Sequence, residues 1–195
     1  MLHIAPVTLS TDRLTLQPLS LGHIPALAQA AHDGELWDKK TTTVPRAEGF
    51  EDYVRTALKL QDAGLALPFA TMVREGDRIV GSTRFMNIDA VNHRVEIGTT
   101  WIARSWQRTF VNTHAKFLML RHAFEDLGCN AVEIRTHSLN DQSRAAIERL
   151  GAKLDGILRR HMIMPDGHIR DTAVYSILRE EWPAVKAGLE ARLAS

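Results

Sequence analysis

The residues of this 195-residue chain whose types and spacing could do chemistry concentrate in one stretch, Glu96-Ile97-Gly98-Thr99-Thr100-Trp101-Ile102-Ala103-Arg104-Ser105-Trp106-Gln107-Arg108-Thr109-Phe110-Val111-Asn112-Thr113. It reads as a strand, a basic loop and the start of a helix. Free amides in the first turn of a helix, with its positive dipole end, favour a phosphate, and Arg104, Arg108 and Lys116 add charge nearby. A pyrophosphate is a natural occupant; the alternative is a set of basic residues decorating a solvated loop. Glu96 is a carboxylate in the middle of the strand, where one face otherwise reads apolar. Its structural role would be an ion pair with Arg84 or Arg94 on nearby strand positions.

A second group follows at Asn140, which begins a helix after a strand and is suited to cap it, with Ser143 one turn on. Ile147 shares its spacing with Ala146 and Leu150 and reads as core. Trp101 and Trp106 flank the basic loop, either bordering a pocket or serving as core and rim. Cys129, after Gly128 at a helix end, reads as a small buried hydrophobe rather than a nucleophile. Histidines 114, 122, 137, 161 and 168 are scattered without metal-ligand spacing, so no metal is expected.

Elements to position these groups can be read along the chain. Thr11 to Leu19 alternates polar and apolar, as a half-buried strand does. Ile24, Leu27, Ala28 and Ala31, and then Phe50, Val54, Leu58 and Leu60, fall at helical spacing on either side of a polar stretch from Lys39 to Pro45. Pro68 to Val73, Arg78 to Ile88 and His93 to Ile102 predict a three-strand antiparallel meander. Val111, Ala115, Leu118, Met119 and His122 share one helical face ending near Gly128, and Ala131 to Thr136 is the next strand. The helix Asn140 to Leu150 leads to strands Ile157 to Met164 and Ile169 to Leu178 around a Pro165-Asp166-Gly167 turn. Trp182, Val185, Leu189 and Leu193 mark a last helix whose stripe covers the domain or a second subunit. This order is α+β, a mixed sheet around one strand–helix–strand crossover.

Composition narrows the function. With 24 basic and 23 acidic residues no global field favours nucleic acid or membrane, and 45% hydrophobic content supports one substantial core. A single cysteine rules out an internal disulfide framework and suits a reducing compartment. Met1 to Pro6 lacks a basic region followed by an apolar stretch, and no apolar run reaches bilayer length, so a cytoplasmic protein is expected.

Gln107-Arg108-Thr109-Phe110-Val111-Asn112 resembles the acyl-CoA loop of GNAT enzymes, Gln/Arg-x-x-Gly-x-Gly/Ala. Gln107 matches the first position, whereas Phe110 replaces a glycine and Asn112 a glycine or alanine, so the Phe110 ring has to turn away from the loop amides. Asn140 to Ala152 resembles the Asn-x-x-Ser and Leu-Gly-Phe/Ala pattern of the RimJ/RimL branch. Leu9 to Leu14, Glu96-Ile97-Gly98 and Asp166 to Asp171 extend the likeness over nearly the whole chain. The resemblance implies a single GNAT-like domain over residues 1–195, a central mixed, mostly antiparallel twisted sheet flanked by helices. It implies acetyl-CoA as donor and a primary amine as acceptor; composition and histidine spacing add no nucleic acid, membrane or metal, and the last helix leaves a homodimer open. On this basis Glu96 is the base, directly or through water, and Ser143 approaches the thioester sulfur as the acid. Ile147 occupies the position where many GNAT enzymes carry a tyrosine acid. The cofactor-binding set is Trp101, Ile102, Gln107, Arg108, Thr109, Phe110, Val111, Asn112, Thr113, Asn140 and Ser143, with Asn140 on the pantetheine arm. A peptide α-amine, pKa near ~8, needs less help from a base than a lysine near ~10. The acceptor, held by the segment Trp37 to Pro68, stays open among protein N-terminus, amino acid, polyamine and drug amine. The rival reading is a catalytically degenerate GNAT-fold module that binds acyl-CoA or regulates.

Overall fold

Where the alternation from Thr11 to Leu19 predicts one strand, the chain makes a tight hairpin, β1 (Leu9–Ser10) against β2 (Leu14–Pro18). Thr11 makes the turn, its hydroxyl accepting from the backbone N–H of Leu14 at 3.1 Å and of Arg13 at 3.4 Å. Such local bonds let threonine compete with a ladder. The computed structural model describes residues 2, 4–38, 44–164 and 166–194, so Lys39 to Thr43 of the polar stretch and Pro165 of the expected turn lie outside the described residues.

The remaining elements fall close to their predicted places. They are α1 (Ile24–His32), α2 (Phe50–Asp62), β3 (Leu67–Val73), β4 (Arg78–Asp89), β5 (Arg94–Ile102), α3 (Phe110–Arg121), β6 (Ala131–His137), α4 (Asp141–Arg149), β7 (Lys153–Ile163), β8 (Ile169–Leu178) and α5 (Trp182–Leu193). The eight strands form one sheet in the order β1-β2-β3-β4-β5-β6-β8-β7. The expected meander is present as β3-β4-β5, and every neighbouring pair is antiparallel except β5 and β6. A parallel pair needs a crossover, and α3 supplies it.

Each face of the sheet has its own core. One gathers Leu14, Leu16, Phe85 and Ile97 with Leu118 and Met119 of α3, Ile147 of α4 and Trp182 of α5; the other packs Leu27 of α1 and Phe50, Val54 and Ala57 of α2 against Ala70 and Trp101. The apolar stripe of α5 is therefore spent inside the chain, with Trp182 stacked on Phe124 at 5.5 Å, rather than offered to a second subunit. The helix expected to run to Gly128 changes to π geometry over His122–Asp126, closed by Leu127 N–H on the His122 carbonyl at 2.9 Å and pinned by His122 Nδ1 to Asp126 at 2.7 Å. Strand β7 begins at Lys153, earlier than its apolar residues suggest, because as the edge strand it is exposed along nearly its whole length and needs no alternation. Among the described residues no helix is long and apolar enough to cross a membrane.

Candidate functional site

Two irregularities in β5 open the sheet. Ser82 pairs with Trp101 but Arg84 with Gly98, so Thr99 and Thr100 together face Thr83, and Thr99 adopts a φ of 48°. The extra residue bends the strand. On its other side β5 follows β6 only from Arg94↔Ala131 to Ile97↔Ile134. Beyond Ile97 the two strands part, leaving the backbone of residues 98–102 without a ladder partner on that edge. Because β5 and β6 are parallel, both end on the same side of the sheet. Helix α3 follows one and α4 the other, so two helix N-termini flank the gap. A crevice at the carboxyl ends of strands, rimmed by helix N-termini, is a natural anion site.

The loop into α3 is held from several directions. Gln107 donates its side-chain Nε2 to the Ile102 carbonyl at 2.8 Å, and Arg104 N–H reaches the Asp33 carbonyl at 2.9 Å. Arg108 takes a left-handed φ of 62°. Thr109 caps the helix, donating its hydroxyl to the Trp106 carbonyl at 2.7 Å and accepting from Val111 N–H at 3.4 Å. The other first-turn amides, of Phe110 and Asn112, have no partner within the helix. The ring of Phe110, where the family has glycine, is engaged on the β1–β2 side: Arg13 Cζ lies 3.7 Å from its centroid, and His114 and Trp106 meet it edge-on at 5.2 Å and 6.1 Å. His114 in turn bonds Thr11 of the hairpin turn at 2.8 Å. Val111 is core, while Asn112 and Thr113 are half-buried.

Across the gap, Asn140 caps α4, its Oδ1 accepting from Ser143 N–H at 3.0 Å. The Asn140 amide NH2 and the half-buried Ser143 hydroxyl make no hydrogen bond among the described residues. Ile147, one turn further, is buried at 4% exposure.

Glu96 lies just below the fork, 6% exposed, and the expected partners are not the ones it has. Arg94 pairs with Glu133 at 3.1 Å, and Arg84 lies over the Tyr53 ring. Instead Asn87, at a second register shift where its φ reaches 47°, donates to Glu96 Oε2 at 2.7 Å, and Arg135 approaches the same oxygen at 3.3 Å. The correction follows from the parallel pairing of β5 and β6, which sets Glu96 beside Glu133 and hence next to Arg135, two residues along the same face. That Glu133-x-Arg135 alternation was the available signal. Burial raises the Glu96 pKa above the usual carboxylate range, although the Asn87 bond and Arg135 pull it down. The other carboxylate oxygen turns towards Gly98, whose missing Cβ would stand 3.2 Å from it and 2.5 Å from the Met86 sulfur.

Of the three cations expected around the loop, Arg104 and Arg108 are exposed there, but Lys116 is not. It is 5% exposed and its amine donates to Thr100 Oγ1 at 3.1 Å, because residue 116 falls on the face of α3 that covers the sheet. Burial pushes its pKa down to about 8. Trp101 sends its ring to the α2 side, 5.8 Å from Phe50 and donating to Tyr53 Oη at 3.2 Å, so its backbone alone faces the gap. Ile102 packs towards α3 and Trp106 joins both cores. Cys129 is buried and its thiol is pushed up to about 11, in keeping with a structural role. Among the described residues no three His, Cys, Asp or Glu side chains are grouped to hold a metal ion.

The profile of the family described as acetyltransferase (GNAT) domain matches residues 13–153. A putative ribosomal N-acetyltransferase of Bacillus subtilis, YdaF, is 34% identical over 108 residues, which are 55% of this chain and 58% of that protein. The crystal structure of a putative acetyltransferase from T. thermophilus is 32% identical, covers 98% of this chain and 99% of its own, and superposes with a TM-score of 0.86. RimJ of Mycobacterium smegmatis, in complex with a CoA disulfide, shares the fold at 20% identity, with a TM-score of 0.81 over 96% of this chain and 95% of its own.

Proposed function

This chain belongs to the GNAT acetyltransferase family, and on that premise we propose that it is of the RimJ/RimL-like branch and moves an acetyl group from acetyl-CoA directly to a primary amine. The observation that carries the reading is the fork between β5 and β6, flanked by two helix N-termini with Glu96 buried just below it. The residues present fit the donor. Arg108 and the open first-turn amides of α3 suit a pyrophosphate, and the free edge of residues 98–102 offers amide donors and acceptors to an amide-bearing arm. The amide NH2 of Asn140, whose oxygen is committed to the cap, can add a donor to that arm. When bound, acetyl-CoA supplies an activated carbonyl: the amine nitrogen bonds to the acetyl carbon, the carbon–sulfur bond breaks, and the sulfur leaves with the electron pair.

Glu96 takes the proton that the ammonium or the attacking amine must lose, directly or through one water. Its raised pKa brings it closer to neutrality, where a base works best, while Asn87 and Arg135 fix its orientation. Ser143 donates a hydrogen bond to the departing thiolate, whose ordinary pKa near ~8.5 makes it a tolerable leaving group without full proton transfer. The likeness to a putative ribosomal N-acetyltransferase supports a protein or peptide amine, its α-amine in our reading, as the acceptor class. We read residues 1–195 as one catalytic domain working in the cytoplasm, in keeping with a single buried thiol.

Calorimetric titration with acetyl-CoA and with CoA, of the wild type and Arg108→Glu, tests the donor site. Micromolar binding that the variant loses supports the reading, and no binding by the wild type overturns it. Binding without turnover on any amine would leave the fold as a degenerate acyl-CoA-binding module.

A further inference from the structure

Among the described residues, Arg84 is a strongly polar side chain near the fork that the proposed transfer does not employ. It sits on β4 directly across from Gly98, is 6% exposed, and its Nε is sealed from solvent with no hydrogen-bond partner. Its terminal nitrogens make no hydrogen bond or ion pair among the described residues either; its guanidinium lies over the face of Tyr53 of α2, 5.2 Å from the ring centroid. The acids nearest in the sheet are taken, Glu96 by Asn87 and Arg135, Glu133 by Arg94 and Arg135. A buried cation without an anion is costly, and such groups are ordinarily paired.

The register says what would pair it. Met86 faces Glu96 and Arg84 faces Gly98, so Arg84 and Glu96 lie on one face of the sheet as diagonal neighbours. Diagonal positions in an antiparallel pair stand about 7–8 Å apart at the backbone, and these two side chains extend from the same surface. One presents a negative charge and the other a positive charge, on the face that α2 covers, with the bulge of β5 and the gap beside them. A small zwitterion matches that pattern: its ammonium towards Glu96, ready to lose a proton, and its carboxylate towards Arg84.

We propose that the acceptor is an amine that carries a carboxylate a few bonds away, held by Arg84 while Glu96 receives the amine. This rests on the acetyl-transfer reading and adds the acceptor's chemistry to it. Two sources present that chemistry: the α-carboxylate of a free amino acid, and an acidic side chain next to the N-terminus of a peptide.

The test compares matched acceptors on wild type, Arg84→Met and Arg84→Lys: amino acids against their carboxamides, and peptides with Asp or Glu at the second position against Asn or Gln. The wild type is expected to favour the carboxylate member on the order of 30-fold in kcat/KM, chiefly through KM, as for a charge-assisted hydrogen bond. Arg84→Met erases the preference, binds acetyl-CoA as the wild type does, and unfolds at the same or a higher denaturant concentration, since an unpaired buried charge has been removed. Arg84→Lys keeps part of the preference. A preference confined to amino acids identifies the free acid as the source; one confined to peptides identifies the side chain. The proposal is overturned if the wild type ignores the carboxylate while acetylating amines, or if Arg84→Met keeps the preference and only loses stability, which marks a structural arginine. Failure of the wild type to bind acetyl-CoA would instead bring down the transferase reading beneath it.

Discussion

Lys116→Met should make the protein more stable near neutral pH. Lys116 is 5% exposed, and its amine donates to Thr100 Oγ1 at 3.1 Å. Thr100 shares a hydrogen bond with Thr83 at 2.7 Å, and the Thr83 hydroxyl also reaches the Met119 sulfur at 3.4 Å. The buried cation is thus tied to two hydroxyls and a sulfur, with no carboxylate among them. Burial lowers the amine from 10.5 to about 8, a difference of about 3 kcal/mol against the charged form. The folded pKa lies below the unfolded one, so between about 8 and 10.5 the unfolded chain binds more protons and stability rises with pH. Below about 8 the whole penalty applies. Methionine keeps the length of the stem and removes the charge. Allowing about 1 kcal/mol for the lost bond to Thr100, the variant should gain roughly 2 kcal/mol near pH 7, and the gain should vanish near pH ~10 and reverse above it. Urea unfolding of both proteins near pH 7 and near pH 9.5 measures it. A variant less stable than wild type at the lower pH, or a difference that does not shrink as pH rises, would refute the reasoning.

Gly98→Ala would bring a Cβ to 2.5 Å from the Met86 sulfur and 3.2 Å from Glu96 Oε1; because the methionine end can shift, the fold should survive with about 1–3 kcal/mol lost, while transfer falls at least ~10-fold, and Met86→Ala should restore the stability in urea but not the rate. Burial holds the Glu96 pKa above 4.5 and the base must be ionised, so kcat/KM should fall on acidification through a limb lying above pH 4.5, and Glu96→Gln should abolish that limb and cost about 10²–10⁴ in rate; a limb unchanged in the variant assigns it elsewhere. Ser143→Ala should slow transfer only by about tenfold, with acetyl-CoA affinity preserved, because the thiolate leaves tolerably unaided; a complete loss would show that the serine does more than donate one hydrogen bond.

Most of the fold was legible because its signals are local: the apolar spacings of α1, α2, α3, α4 and α5, and the alternation or short apolar runs of β3, β4, β5, β6 and β8. What was not legible is set by partners distant in sequence. No pattern in Thr99-Thr100-Trp101 announces that two residues will face Thr83, or that Asn87 will turn into Glu96, since a bulge is a property of the strand pair. Glu96 was found by its place in an apolar strand, but its partner Arg135 comes from a strand paired in parallel through a crossover of about the length of α3, beyond any short-range rule. Proximity along the chain puts Lys116 beside the loop, but its position within the helix directs it against the sheet. Phe110, the departure from the family's glycine, is explained only by the β1–β2 turn, whose Arg13 covers its ring.

Direct acetyl transfer is tested most directly by mixing the purified protein with acetyl-CoA and a panel of peptide and amino-acid amines, following thiol release and product mass together. Thiol appearing in step with an N-acetylated amine, and lost in Glu96→Gln without loss of acetyl-CoA binding, is the predicted result. Tight acetyl-CoA binding with no acetylated amine at any pH where Glu96 is ionised would contradict it.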